Sequence, residues 1–250
     1  KYYPTDRRGD MPYIKKTVIA GKTVEIRKCN APMYGRKGKR AARMKLTPEK
    51  QQKVNEKKAV DLLTWRLNEN FGVGDVHMVI GYGRGKAPEP EEARKHLEEF
   101  LRRARKYFRG QGQELRYITV TEYKRARIHH HVIMPEAPMG VLYKLWSHGR
   151  PHITPLDESG DYRQLADYLI KETSATFAES GSPYKKRWNQ SKNLRDPVIK
   201  TEIVSAKSWR KDPIPWKGYY IKKDSIRAGT HDVTGYQYQY YTMISTKRRD

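Results

Sequence analysis

The chain has 250 residues, 36% of them hydrophobic, which is long enough to bury one good core; one main domain with appended segments is expected. Lys and Arg total 52 against 28 Asp and Glu, a formal net charge of +24 that asks for a polyanion, and no apolar run approaches the ~18 residues of a membrane span, so nucleic acid is preferred to a lipid surface. The one cysteine, Cys29, excludes an intramolecular disulfide and a cysteine-based zinc site and suits a reducing cytoplasm, the expected location, leaving His, Asp and Glu to hold any metal.

In chain order, residues 14–27 (IKKTVIAGKTVEIR) read as a β-hairpin turning at Gly21, followed by an exposed basic loop over 34–43. Thr47-Pro48-Glu49 places an N-cap, an N1 proline and an early acid at the head of a helix that runs to about Asn70. Val76 to Ile80 reads as a buried strand ending at Gly81-Tyr82-Gly83. Glu89-Pro90-Glu91-Glu92 then opens the clearest helix, with Ala93, Leu97, Phe100, Leu101, Ala104 and Phe108 on one face and Gly110 at its end. Leu115 to Tyr123 and Ile128 to Met134 form an antiparallel hairpin around Lys124-Arg125-Ala126-Arg127. Helices over about 140–146 and 162–173 follow, separated by a loop. Residues 174–200 read as mostly loop, and the last fifty residues hold short β-rich runs, including 218–221 and 236–243. This order predicts an α+β fold, a central antiparallel sheet flanked by helices. The expected division is 1–45, a hairpin and basic loop packing on the main domain; 46–200, the main domain; and 201–250, a β-rich extension.

Three histidines lie on the strand Ile128 to Met134, where a period of two sends His129 and His131 to one face and His130 to the other. Glu122, on the preceding strand of the same hairpin, can reach the face of the histidine pair by cross-strand pairing. Two imidazoles and a carboxylate suit a divalent ion, Mg²⁺ or Mn²⁺, acting as a Lewis acid on a phosphodiester, with open positions for phosphate and water; zinc could also bind. Strand histidines are also often plain polar surface, and the pair gains meaning from Glu122. On the helix that follows, Tyr168 and Lys171 share a face, so a nucleophile and a cation point to one site. A tyrosine hydroxyl, with a pKa of about 10, needs both a polarised phosphate and a nearby positive charge. Y-x-x-K alone arises often by chance; its value here comes from following the Glu and His-x-His hairpin. Tyr162 is a second candidate nucleophile, but six residues turn a helix by about 600°, which takes it off the face of Tyr168.

The segments VHMVIGYG, VTEYKRARIHHHVIM and DYLIKE, in that order, resemble the three motifs of the HUH endonucleases. The run LWSHGRPHITPLDESGDYRQLADYLIKE followed by RWNQSKNLRDP is similar to rolling-circle replication-associated proteins related to filamentous-phage gene II proteins, over roughly residues 13–200. The resemblance implies a compact ferredoxin- or RRM-like antiparallel sheet with helices. It assigns the metal to Glu122, His129 and His131, the 5′-phosphotyrosyl link to Tyr168, and the accompanying lysine to Lys171. One departure is His130, which stands where the family has a hydrophobic residue. No GxxxxGK[ST] loop is present, so no nucleotide cofactor is expected and unwinding falls to a separate or host helicase, with a polymerase as the further partner. The expected substrate is single-stranded DNA at a replication origin.

Arg36, Lys37 and Arg40 in one basic stretch, and Lys185, Lys186 and Arg187 with Trp188 in another, are candidate DNA contacts, their alternative being a solvated face. Trp146, Tyr236, Tyr238 and Tyr240 could stack unpaired bases or pack in a core. The rival readings are a relaxase or transposase with the same chemistry, a phosphoesterase without a covalent intermediate, and a non-enzymatic RNA-binding module, against which the lack of an RNP-like aromatic signature counts.

Overall fold

The computed structural model describes residues 13–31, 47–124, 126–178, 186–205, 209–210, 212–231 and 235–247. In chain order the strands are β1 (Tyr13–Ala20), β2 (Thr23–Asn30), β3 (Val76–Gly81), β4 (Ile118–Glu122), β5 (His129–Met134), β6 (His152–Pro155), β7 (Asn189–Gln190), β8 (Val198–Val204), β9 (Tyr219–Ile221), β10 (Arg227–Thr230) and β11 (Gln237–Ser245). The helices are α1 (Pro48–Asn70), α2 (Pro90–Gly110), α3 (Met139–Leu145) and α4 (Arg163–Ala178). The fold is α+β, as the element order predicts, but it holds two antiparallel sheets, one in each of two compact units. One unit comprises residues 1–48 with 197–250, the other residues 49–196.

In the first unit, Gly21 takes the positive φ of 56° that a primed two-residue turn needs, and Ala20 pairs with Thr23 to close the β1–β2 hairpin. The hairpin joins chain ends: β1 pairs with β8 and β2 with β11, in the order β10-β11-β2-β1-β8, with β9 also on β11. The segments read from sequence as separate N- and C-terminal appendages are thus strands of one sheet, a long-range pairing that no local pattern encodes. Val24, Ile26, Tyr241 and Met243 form its core.

The second unit carries the sheet β6-β3-β5-β4-β7, antiparallel throughout. Strand alternation divides its side chains cleanly. Val76, Met78 and Ile80 of β3, with Val132 and Met134 of β5, pack against the apolar stripe of α2, whose six predicted residues are all buried. The opposite face supplies Ile118, Val120 and Ile133 to a core with Leu63 and Leu67 of α1 and Ala166, Leu169 and Ile170 of α4.

Two stretches depart from the sequence reading. The loop before α4 contains β6, an edge strand with little buried surface and hence no alternating signal. The polar stretch after Thr173 continues as helix to Ala178, because its hydroxyls turn inward. Thr173 Oγ1 donates to the Leu169 carbonyl at 3.0 Å, and Ser174 Oγ to the Ile170 carbonyl at 3.0 Å, so residues that usually compete with a helix here bond to it. None of the described helices is long and apolar enough to cross a membrane.

Candidate active site

The register of the central sheet gathers the histidines. His129 lies opposite Glu122 on β4 and Gly81 on β3, His131 opposite Val120 and Val79, and Ile133 opposite Ile118 and His77. Directly opposed residues share a face, so His77, His129, His131 and Glu122 belong to the α1/α4 side of the sheet. Ile133 fills the core there, while the two histidines before it extend to the end of the strand. Tyr168, on α4, meets them: its ring lies edge-on to His131 with centroids 5.5 Å apart, and the residue remains 44% exposed.

A backbone carbonyl sets the tautomer of His129. His129 Nδ1 lies 2.8 Å from the Arg127 carbonyl, which can only accept, so Nδ1 carries a proton and the lone pair available for a metal or a donor is the one on Nε2. That lone pair points at His131 Nε2, 3.2 Å away, and His131 Nδ1 in turn lies 3.0 Å from His77 Nε2. Burial, with smaller contributions from His77, His129 and His130, holds His131 down to about 3; burial, then His152, holds His77 down to about 4. Both rings are therefore neutral at physiological pH and able to offer a lone pair.

Glu122 is fully buried. Its Oε1 accepts the Lys124 N–H at 2.6 Å and its Oε2 the Thr176 hydroxyl at 2.9 Å. Thr176 is a partner the sequence reading missed, since it lies beyond the expected end of its helix. Among the described residues, no group of three or more His, Cys, Asp or Glu side chains is arranged to hold a metal ion. The donor chemistry nonetheless fits a divalent ion. The 3.2 Å between His129 Nε2 and His131 Nε2 is close to the about 3.3 Å separating two nitrogens on one tetrahedral ion. Glu122 lies directly across from His129 on the neighbouring strand.

Tyr168 and Lys171 are one turn apart, and Lys171 Nζ pairs with Asp167 at 2.9 Å. The Tyr168 hydroxyl is pushed above the usual phenol value, first by burial and then by Glu172, so its phenolate is disfavoured in this environment. Tyr162 immediately precedes α4 and is buried, with its hydroxyl donating to the Asp157 carbonyl at 3.0 Å; it is a structural tyrosine.

His130 turns to the α2 side, where Thr121 Oγ1 lies 2.9 Å from its Nδ1 and Tyr82 Oη 3.5 Å from its Nε2, with His96 Nδ1 3.3 Å beyond that hydroxyl. Trp146 is buried against it and donates its indole N–H to the Gly81 carbonyl at 2.6 Å, so it packs in the core and is not a base-stacking platform. Arg127 ties the two sides together: its guanidinium donates to the Tyr82 and Gly83 carbonyls at 3.2 and 2.7 Å, while its own carbonyl takes the His129 proton.

Of the basic candidates, Arg36, Lys37, Arg40 and Lys185 lie outside the described residues. Lys186 is exposed, Arg187 is mostly buried 4.0 Å from Glu56, and Trp188 is half-buried against the α1/α4 core with its indole N–H on Gln190. With Asn189 and four threonines, Thr119, Thr121, Thr173 and Thr176, Lys186, Arg187 and Trp188 line a shallow polar cleft beside Glu122. In the first unit, Tyr238 and Tyr240 lie with ring centroids 5.4 Å apart and are half-buried; Tyr236 meets Tyr13 edge-on at 6.1 Å.

Residues 79–173 match the family model of the replication-associated proteins of the ORF2 and gene II protein type, a stretch from the end of β3 into α4 that covers under half of the chain. It contains Glu122, His129, His131, Tyr168 and Lys171; His77 falls two residues ahead of it. No curated protein and no solved structure matches the chain.

Proposed function

We propose that this chain is a single-strand DNA endonuclease and strand transferase that initiates rolling-circle replication by tyrosine attack. The observation that carries the reading is the meeting of Tyr168 with His131 beside His129 and Glu122, in the part of the chain similar to replication-associated proteins. A basic chain of net charge +24 supplies the attraction for a DNA backbone.

Glu122, His129 and His131 would hold a divalent ion, which when bound supplies Lewis-acid polarisation of the scissile phosphate. Tyr168 Oη forms a new bond to phosphorus as the bond from phosphorus to the 3′-oxygen breaks. The phenolic proton leaves to solvent and the departing oxygen takes one up, giving a 5′-phosphotyrosyl link and a free 3′-hydroxyl. Lys171 offsets phosphate charge once it turns from Asp167. The reverse attack by a 3′-hydroxyl rejoins the strand without a nucleotide cofactor, because the phosphotyrosine keeps the bond. Origin DNA, a helicase and a polymerase are the partners this role requires.

The test is a denaturing gel of labelled single-stranded origin DNA incubated with Mn²⁺ and wild type, Tyr168→Phe or His129→Ala. A shifted, covalent band for wild type alone is expected. Cleavage without any adduct would favour a hydrolytic phosphoesterase, and binding without cleavage a nucleic-acid-binding module; a band on DNA from a transfer origin or a transposon end, and not on a replication origin, would move the role to a relaxase or transposase.

A further inference from the structure

We infer that His77, outside the family match, is a positioning residue that sets the tautomer of His131 and thereby decides whether the His129–His131 pair binds metal. The inference rests on the metal role proposed above for that pair.

The geometry leaves two proton arrangements. His129 Nδ1–H is committed to the Arg127 carbonyl, so His129 Nε2 is an acceptor in both. In the first, His77 Nε2–H donates to His131 Nδ1 and His131 Nε2–H donates to His129 Nε2; both contacts are then ordinary hydrogen bonds and the bite is closed by a proton. In the second, His131 Nδ1–H donates to His77 Nε2 at 3.0 Å, and the lone pairs of His131 Nε2 and His129 Nε2 face one another at 3.2 Å. Two lone pairs at that distance repel unless a cation lies between them. The second arrangement is therefore the metal-binding one, and it requires an acceptor at the position of His77 Nε2.

His77 cannot be a ligand of the same ion in this geometry. It contacts Nδ1 of His131, while the bite is formed by Nε2 on the far side of that ring. Its place is that of the outer group to which a metal-bound imidazole donates its remaining N–H, a role in which loss of the partner weakens binding about 10–100-fold. The stacking of the two rings, centroids 5.2 Å apart at 21°, holds the acceptor in register with the donor.

The experiment is titration calorimetry of the full chain with MnCl₂, comparing wild type, His77→Phe, His77→Gln and His129→Ala, with circular dichroism to verify folding. His77→Phe is expected to bind about 10–100-fold more weakly than wild type, and His77→Gln, whose amide oxygen can accept the same proton, to recover most of the loss. Equal affinity of His77→Phe and wild type, with His129→Ala binding nothing, overturns the role of His77 and leaves the metal reading standing. Wild type that binds no better than His129→Ala overturns both. A measurement on wild type alone decides the matter if the variants fold poorly: nitrogen-15 NMR of the Zn²⁺-loaded protein should show His131 protonated at Nδ1, and a proton at Nε2 would refute the inference.

Discussion

Replacing His130 by leucine should flatten the acid side of the stability profile. His130 is fully buried, and burial, followed by the nearby His129 and His96, holds it down to about 3 against an ordinary 6.5. The folded-state value is depressed, so as pH falls below about 6.5 the unfolded chain takes up a proton that the folded chain refuses. The stability contributed by keeping this ring neutral is complete above about pH 6.5 and is lost progressively as pH falls toward about 3. One pH unit within that window costs about 1.4 kcal/mol, which amounts to about 2 kcal/mol between pH 7 and pH 5. Leucine fits the apolar surroundings of Trp146 but leaves the buried Thr121 hydroxyl without the ring, a pH-independent cost of about 1 kcal/mol. The assay is urea unfolding in EDTA at pH 7 and pH 5, followed by fluorescence and circular dichroism. Wild type should lose about 2 kcal/mol more than His130→Leu between the two pH values. Equal losses would show that His130 does not resist protonation in the folded state, and the reasoning would fail.

Trp146→Phe stays aromatic but removes the indole N–H bound to the Gly81 carbonyl at the end of β3, together with part of a buried bicyclic ring, and should cost about 1–3 kcal/mol in a urea titration. Gly149→Ala places a Cβ 2.6 Å from the Gly81 carbonyl oxygen, a backbone atom that cannot swing away; a loss of about 1–3 kcal/mol is expected, read as a lower unfolding midpoint. EDTA should abolish covalent adduct formation, and Mn²⁺ should restore it at lower concentration than Mg²⁺ because imidazoles dominate the proposed ligands; restoration by Mg²⁺ at equal or lower concentration would contradict that ligand set.

The helices were legible where the sequence carries both period and punctuation. The stripe of α2 and its Pro90 start, or the Thr47-Pro48 head of α1, need no tertiary information. The His129/His131 alternation was legible for the same reason, since a strand's period is local. What was not legible is register across strands. His77 sits between buried Val76 and Met78, which sends it to the opposite face from them, but only the β3–β5 pairing puts it beside His131. Thr176 escaped notice because a polar stretch reads as loop until its hydroxyls are seen bonding to the helix and to Glu122. The joining of β1 and β2 to β8 and β11 rests on contacts between chain ends, which composition and periodicity do not reveal.

The most direct test of the central claim is peptide mapping by mass spectrometry of the protein after reaction with single-stranded origin DNA and nuclease trimming of the bound strand. A nucleotide remnant on the peptide containing Tyr168, joined through a 5′-phosphate, is the predicted result. The same remnant on the Tyr162 side chain, or none on any tyrosine of a chain that cleaves DNA, would contradict the account.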